Sequence, residues 1–181
     1  VVMLKGILLI FLCTFMWALN GNVGAYIFQY KGFTPEVLVA IRLTAVGLML
    51  LINDLYRSGR YAFRVIRKRE NIPNFLLYSL GGILCMQFGY FSSISYSNAP
   101  TATLFQYTGM FFVIFTVAVM TKTWPKPIVY PTLFLCTFGL FLMVTGGDPS
   151  SLNVNSKAII WGLISAVGFT NFNLAPTGLS K

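Results

Sequence analysis

Residues 71–121 read NIPNFLLYSLGGILCMQFGYFSSISYSNAPTATLFQYTGMFFVIFTVAVMT, without a single Asp, Glu, Lys or Arg. One polar interruption, Ser95-Tyr96-Ser97-Asn98-Ala99-Pro100-Thr101, separates two apolar runs, Phe75 to Ser95 and Thr101 to Thr121. A helix rises about 1.5 Å per residue and a bilayer's hydrocarbon core is about 30 Å thick, so roughly twenty apolar residues cross it. A core hairpin of a water-soluble protein would need a wetted polar face on each helix, and neither run has one. The stretch predicts two membrane-crossing helices joined by a short turn.

Working outward, similar runs recur on both sides. Upstream they extend from about Leu4 to Phe28 and from Pro35 to Asn53; downstream, from Pro127 to Val144 and from Lys157 to Leu174. Pro35 suits a first helical turn, where its missing N–H would be unpaired anyway. The chain is 56% hydrophobic and only 9% charged, which fits an all-α integral membrane protein of five or six spans. The first run is too long for a secretory signal peptide and lacks a small-residue cleavage pattern.

Between the second and third runs lies a basic segment, Arg57 to Arg69, holding six of the thirteen Lys and Arg residues. Positive loops stay on the cytoplasmic side, so this segment and the N-terminus are predicted to be cytoplasmic in a multi-pass protein of the cell membrane. Lys122 and Lys126 fall on the same side, whereas the opposite loops hold only Lys31 and Lys157 against Glu36 and Asp148. This distribution explains most of the net charge of +9 and makes nucleic acid an unneeded partner. Anionic lipid headgroups are the expected partner of the Arg57–Arg69 loop, where Tyr56, Tyr61, Phe63 and Ile66 can dip into the interface.

Several chemistries are disfavoured. The chain has no His, the commonest general base and metal ligand. Cys13, Cys85 and Cys136 stand singly in three different runs, which supports neither a disulfide framework nor a metal site. No metal and no cofactor is expected. The alternatives to a carrier are an integral membrane enzyme acting on lipid-like substrates and a non-transporting half or partner subunit. The enzyme finds no support, since Ser92, Ser93 and Ser165 have no partner base and no acidic pair lies within a span.

The start of the chain is echoed near its end. Lys5-Gly6-Ile7-Leu8 aligns with Lys157-Ala158-Ile159-Ile160, and Trp17 then faces Phe169. Five spans separate the two starts, an odd number, so the second copy enters from the opposite side. Inverted repeats of this kind build many secondary transporters. The chain thus reads as part of a protein of about ten spans.

Several short motifs resemble a known family. Trp17-Ala18-Leu19-Asn20 is similar to its early Trp motif. Thr34-Pro35-Glu36-Val37-Leu38-Val39-Ala40-Ile41-Arg42 is similar to the opening of its second helix. Asn98-Ala99-Pro100-Thr101-Ala102 resembles the start of its fourth helix, and Gly139 and Gly146 match glycines of its fifth. On these motifs the chain is identified as a member of the drug/metabolite transporter superfamily, EamA type. The resemblance implies a first five-helix repeat over residues 4–147 and the first helix of an inverted second repeat over 157–181. It also implies ten helices in all, cytoplasmic termini, and export or exchange of small metabolites by alternating access; a homodimer is compatible with it. Two departures stand out. Gln106-Tyr107-Thr108-Gly109-Met110 lacks the family's proline in the middle of helix four, which leaves the usual kink without its usual cause. Thr121-Lys122-Thr123 replaces the acidic residue at that helix's end.

Polar side chains inside a span are costly and tend to face the bundle interior. Arg42 is the only charge well inside a run. It reads either as a fixed positive charge holding an anionic group or as a structural arginine bonded to helix ends. In the third run Gly81, Cys85 and Gly89 recur every fourth residue, a stripe that admits close approach of another helix, while Gln87 and Tyr90 point the other way. In the fourth, Thr103, Gln106, Tyr107 and Met110 share a face by i, i+3, i+4, i+7 spacing. With Trp17 and Asn20 they define a candidate lining, aromatic and hydrogen-bonding but uncharged, for a neutral, zwitterionic or aromatic small-molecule solute such as an amino acid. Trp161, Asn171 and Asn173 of the last run are weaker candidates.

Overall fold

The computed structural model describes residues 2–59, 69–148 and 155–179, and these are helical without any strand. Six helical spans follow one another: α1 (Val2–Lys31), α2 (Pro35–Ser58), α3 (Arg69–Tyr96), α4 (Ala99–Thr121), α5 (Val129–Thr145) and α6 (Ser156–Leu179). Five of them are long and apolar enough to cross a membrane; α5, at 17 residues, is shorter. The expected all-α membrane architecture is observed. The Arg60 to Lys68 part of the basic loop, with Tyr61, Phe63 and Ile66, lies outside the described residues, while Tyr56 and Arg57 at its edge are exposed.

Local chemistry sets the helix ends. Thr34 and Pro35 start α2 as expected, with Thr34 extended as N-cap. At α4, Asn98 Oδ1 accepts the backbone N–H of Thr101 at 2.8 Å, an N-cap that satisfies a donor the first turn cannot pair. The α5 helix stops at Gly146, whose φ of 61° is a left-handed conformation that glycine adopts without a Cβ penalty.

Two spans are internally irregular. In α3 the segment Leu77–Leu84 is π-helical, between α-helical Ile72–Leu76 and Cys85–Tyr96. The α4 helix breaks at Thr108, separating Ala99–Tyr107 from Gly109–Thr121. The backbone there tightens to i→i−3 bonds, Thr108 N–H to Phe105 O and Phe111 N–H to Thr108 O, both 3.1 Å. Thr108 Oγ1 also donates to Phe105 O at 2.6 Å. A threonine bonding back to its own helix accompanies this break, in a stretch that has no proline.

The core is built around α6, which lies along both irregular spans. It runs antiparallel to α3: Phe172 meets Gly82, Gly168 meets Met86, Ser165 meets Gly89, and Ala158 meets Ser93. It runs parallel to α4, with Gly162 on Phe105 and Ala166 on Gly109. The predicted small stripe of α3 is the seat of this contact. A Cβ added at Gly89 would stand 2.7 Å from Ser165 N and Trp161 O, and one added at Gly168 would run into the Cys85–Met86 backbone. Side-chain hydrogen bonds link α6 to its neighbours. Ser93 Oγ donates to Ala158 O and Ser165 Oγ to Met86 O, both 2.8 Å, while Thr170 Oγ1 reaches Gly109 O and Asn171 Nδ2 reaches Gly81 O, both 3.3 Å. The last two meet carbonyls at the α4 break and in the π-helical turn of α3, so adjacent residues of one helix hold both discontinuities.

A second buried cluster, Val39, Tyr90, Phe91, Ile94, Ala99 and Ala102, joins α2, α3 and α4 at the end of the bundle away from the arginine-rich loop. At that end the C-terminal parts of α1 and α3 meet the N-terminal parts of α2, α4 and α6. Consequently α1 and α6 run in opposite directions. Much of α1 and α2 remains exposed and apolar, including Ile7, Phe11, Leu48 and Met49.

Candidate functional site

The loose side of the bundle contains a cavity of about 360 Å³ between α1, α3, α4 and α5. Its walls are Thr14, Trp17, Ala18, Gly21 and Asn22 of α1, Tyr90 of α3, Ala99, Pro100, Thr103 and Tyr107 of α4, and Leu140 and Val144 of α5. No charged residue among the described ones lines it. Small residues open it: Gly21 and Ala99 leave room that Tyr90 and Tyr107 only partly fill, and a Cβ at Gly21 would meet the Tyr90 hydroxyl at 2.6 Å.

The hydrogen bonds inside this cavity fix its donors and acceptors. Thr103 Oγ1 donates to Ala99 O at 2.7 Å. Its single proton being used, the 3.1 Å contact between Tyr90 Oη and Thr103 Oγ1 is a bond in which Tyr90 donates. Thr14 Oγ1 turns back onto Ile10 O and Phe11 O, and Asn22 Nδ2 onto Ala18 O. The Trp17 indole N–H and the Tyr107 hydroxyl make no hydrogen bond among the described residues. Among the described residues the site therefore offers the rings of Trp17, Tyr90 and Tyr107, the Trp17 N–H, the Tyr107 hydroxyl and the unused part of the Asn22 amide to an occupant, and no charged group.

Beside it, an open groove of about 390 Å³ runs along α1 and α2, lined by Leu12, Cys13, Met16, Trp17, Asn20 and Arg42. Trp17 is a wall of both. Arg42 Nη1 donates to Asn20 Oδ1 at 2.6 Å, and the Arg42 guanidinium carbon lies 5.5 Å from the centroid of the Phe91 ring, within cation–π range.

Of the residues singled out in the sequence, Trp17, Tyr90, Thr103 and Tyr107 come together on the cavity, and Trp17, Asn20 and Arg42 on the groove. Gln87, Gln106, Met110, Trp161, Asn171 and Asn173 line neither. Gln106 is only 4% exposed and its Nε2 has no hydrogen-bond partner among the described residues. Gln87 is half-buried in α3. Trp161 packs edge-on against Phe88, ring centroids 5.1 Å apart, within the α3–α6 contact. The contributions of Asn22, Pro100, Leu140 and Val144 were not anticipated. The α5 residues follow no polar pattern that would mark them; they reach the cavity only because α5 packs beside α4.

Comparison with known proteins places this arrangement in a class of membrane carriers. Residues 4–145 match the EamA-like transporter family, and the chain belongs to that family. Over 175 residues it is 29% identical to an uncharacterized inner membrane transporter, YicL, of Salmonella typhimurium strain LT2. The similarity covers 97% of this chain and 58% of that relative, so the chain spans less than two thirds of the relative's length. No solved structure matches it.

Proposed function

We propose that this protein carries a small metabolite, neutral, zwitterionic or aromatic, through the space between α1, α3, α4 and α5. The observation behind this reading is the uncharged cavity in which Trp17 and Tyr107 present donors without protein partners. Its volume lies in the range of small-molecule sites, about 300–1,000 Å³. Alternating access between inverted repeats is the mechanism that suits it. The opposite directions of α1 and α6, and the echo of Lys5-Gly6-Ile7-Leu8 in Lys157-Ala158-Ile159-Ile160, support two oppositely inserted copies. The Arg57–Arg69 loop faces the cytoplasm in this reading, by its charge.

The mechanism in this reading is uniport or exchange, or else coupling through residues of the further spans that the family resemblance implies. Proton carriers need a carboxylate or imidazole within the membrane. Here Glu36 and Asp54 stand near the two ends of α2, Glu70 opens α3, Asp148 follows α5, and the chain has no His. The complete protein in liposomes tests both points. Substituting Tyr107→Leu is expected to abolish solute flux while leaving membrane insertion and thermal stability unchanged; full flux would place the path elsewhere. Flux that requires a pH gradient would overturn the uniport or exchange mechanism.

A further inference from the structure

Arg42 has less company than a charge inside a membrane span requires. One of its N–H groups is used by Asn20, its face lies against the fully buried Phe91, and neither neighbour carries negative charge. The acidic residues of its own helix, Glu36 and Asp54, stand roughly 9 Å and 18 Å away along the axis. Among the described residues Arg42 makes no ion pair and no second hydrogen bond. A purely structural arginine would cap helix carbonyls; this one donates to a side chain that itself belongs to a cavity wall. The surplus N–H donors belong to the space lined by Cys13, Met16 and Trp17, which is otherwise apolar.

We propose that Arg42 binds the carboxylate of the carried solute, and that the solute's apolar or aromatic body lies past Trp17 in the cavity of Tyr90 and Tyr107. This names the substrate class for the site proposed above and rests on that reading. Three features converge. A guanidinium matches a carboxylate's two oxygens with paired N–H donors. Asn20 holds the guanidinium one helical turn from Trp17, so the charged and aromatic parts of the site meet at the residue common to the cavity and the groove. A single cation neutralises a single anion; no second Lys or Arg among the described residues lines either space, so a phosphate dianion would keep an uncompensated charge in a low-dielectric site. Asn20 is then a positioning residue, holding Arg42 rather than touching solute.

Binding of 3-phenylpropanoate and of its neutral amide, 3-phenylpropanamide, to the complete protein in nanodiscs tests this, with calorimetry as readout. The acid is expected to bind at least about tenfold more tightly than the amide, as hydrogen bonds to an ionised partner allow. Arg42→Gln should erase that preference while the amide's affinity stays the same, and Arg42→Lys should keep part of it. Asn20→Ala should reduce the preference without abolishing it, which serves if Arg42→Gln fails to fold. An acid-over-amide preference that survives in folded Arg42→Gln, or in its absence in Asn20→Ala at full strength, overturns the proposal, as does equal binding of both probes by the unmodified protein. The carrier reading fails separately: Arg42-dependent binding with no solute flux in liposomes would keep the anion site and remove transport, whereas flux of the acid untouched by Arg42→Gln would keep transport and remove the anion site.

Discussion

The block formed by α3, α4 and α6 and the pair α1 and α2 have much the same apolar composition but opposite packing. In the block, glycines meet backbone: Gly89, Gly109 and Gly168 each touch a neighbouring helix so closely that a Cβ would not fit. In the pair and in α5, Gly6, Gly47 and Gly139 have nothing within 4 Å, and the two close glycines of α1, Gly21 and Gly24, meet the side chains of Tyr90 and Phe91 rather than backbone. Hydroxyls follow the same division. Ser93, Ser165 and Thr170 are buried and bond across helices, Thr170 sharing its hydroxyl with Ala166 O of its own helix, whereas Thr14 of α1 and Thr132 of α5 bond only back to their own helix. In hydrocarbon, apolar burial gives helices little reason to associate, so close backbone approach and interhelical hydrogen bonds decide which ones form a rigid unit. The candidate site lies at the border between the two regimes, with a rigid wall from α3 and α4 and a looser wall from α1 and α5.

The contrast can be broken most forcefully at the glycines. Gly168→Val and Gly89→Val should each destabilise by about 3 kcal/mol or more, since the obstacle is backbone that cannot step aside. Thermal unfolding in detergent should show a large fall in midpoint, while Gly47→Val and Gly139→Val should shift it by less than about 0.5 kcal/mol. Equal effects at all four positions would mean that the division between tight and loose helices is false.

A smaller effect is expected from the hydroxyls. Ser165→Ala should cost about 0.6–1.7 kcal/mol, the range for one interhelical hydrogen bond in a membrane protein, and Thr132→Ala close to nothing. Smaller still, Thr170→Val combined with Asn171→Leu should lower the midpoint modestly, because both lost bonds are long at 3.3 Å. Faster amide exchange should then appear at Gly81–Leu84 and around Thr108, where the regular ladder is already interrupted. Unchanged exchange there would show that the two irregular turns hold themselves without α6.

The site residues separate function from stability along the same border. Tyr107→Leu exchanges one exposed, unpaired hydroxyl for an apolar group, so its unfolding midpoint should stay within about 0.5 kcal/mol while transport is lost. Thr103→Val differs: it removes the acceptor of the Tyr90 hydroxyl and leaves a buried donor unpaired, at a cost of about 1–3 kcal/mol. A Thr103→Val protein as stable as the parent would show that Tyr90 has another partner.

Much of this was legible residue by residue. The uncharged runs on either side of Ser97-Asn98-Ala99-Pro100 announced the hairpin, and Gly81, Cys85 and Gly89 announced that something would lie against α3. Spacing at 100° per residue also brought Thr103 and Tyr107 to one wall with Trp17. The same rule grouped Gln106 with them, yet Gln106 is buried and lines neither cavity. Helical spacing places neighbouring residues on a surface but does not say which part of that surface another helix will cover. The identity of the helix seated on α3 was hidden for the same reason: a small-residue stripe specifies closeness, not the partner.

By itself the sequence determined that lipid surrounds this chain, that its apolar runs make five or six spans, and where a lone arginine interrupts them, because transfer of charge and unpaired backbone into hydrocarbon is costly wherever it occurs. Only the tertiary structure decided that α6 packs between the π-helical turn of α3 and the Thr108 break of α4, and that Trp17 stands between an uncharged cavity and Arg42. Those facts depend on which backbones approach within a few ångströms of each other, and that is a property of the assembled bundle rather than of any single span.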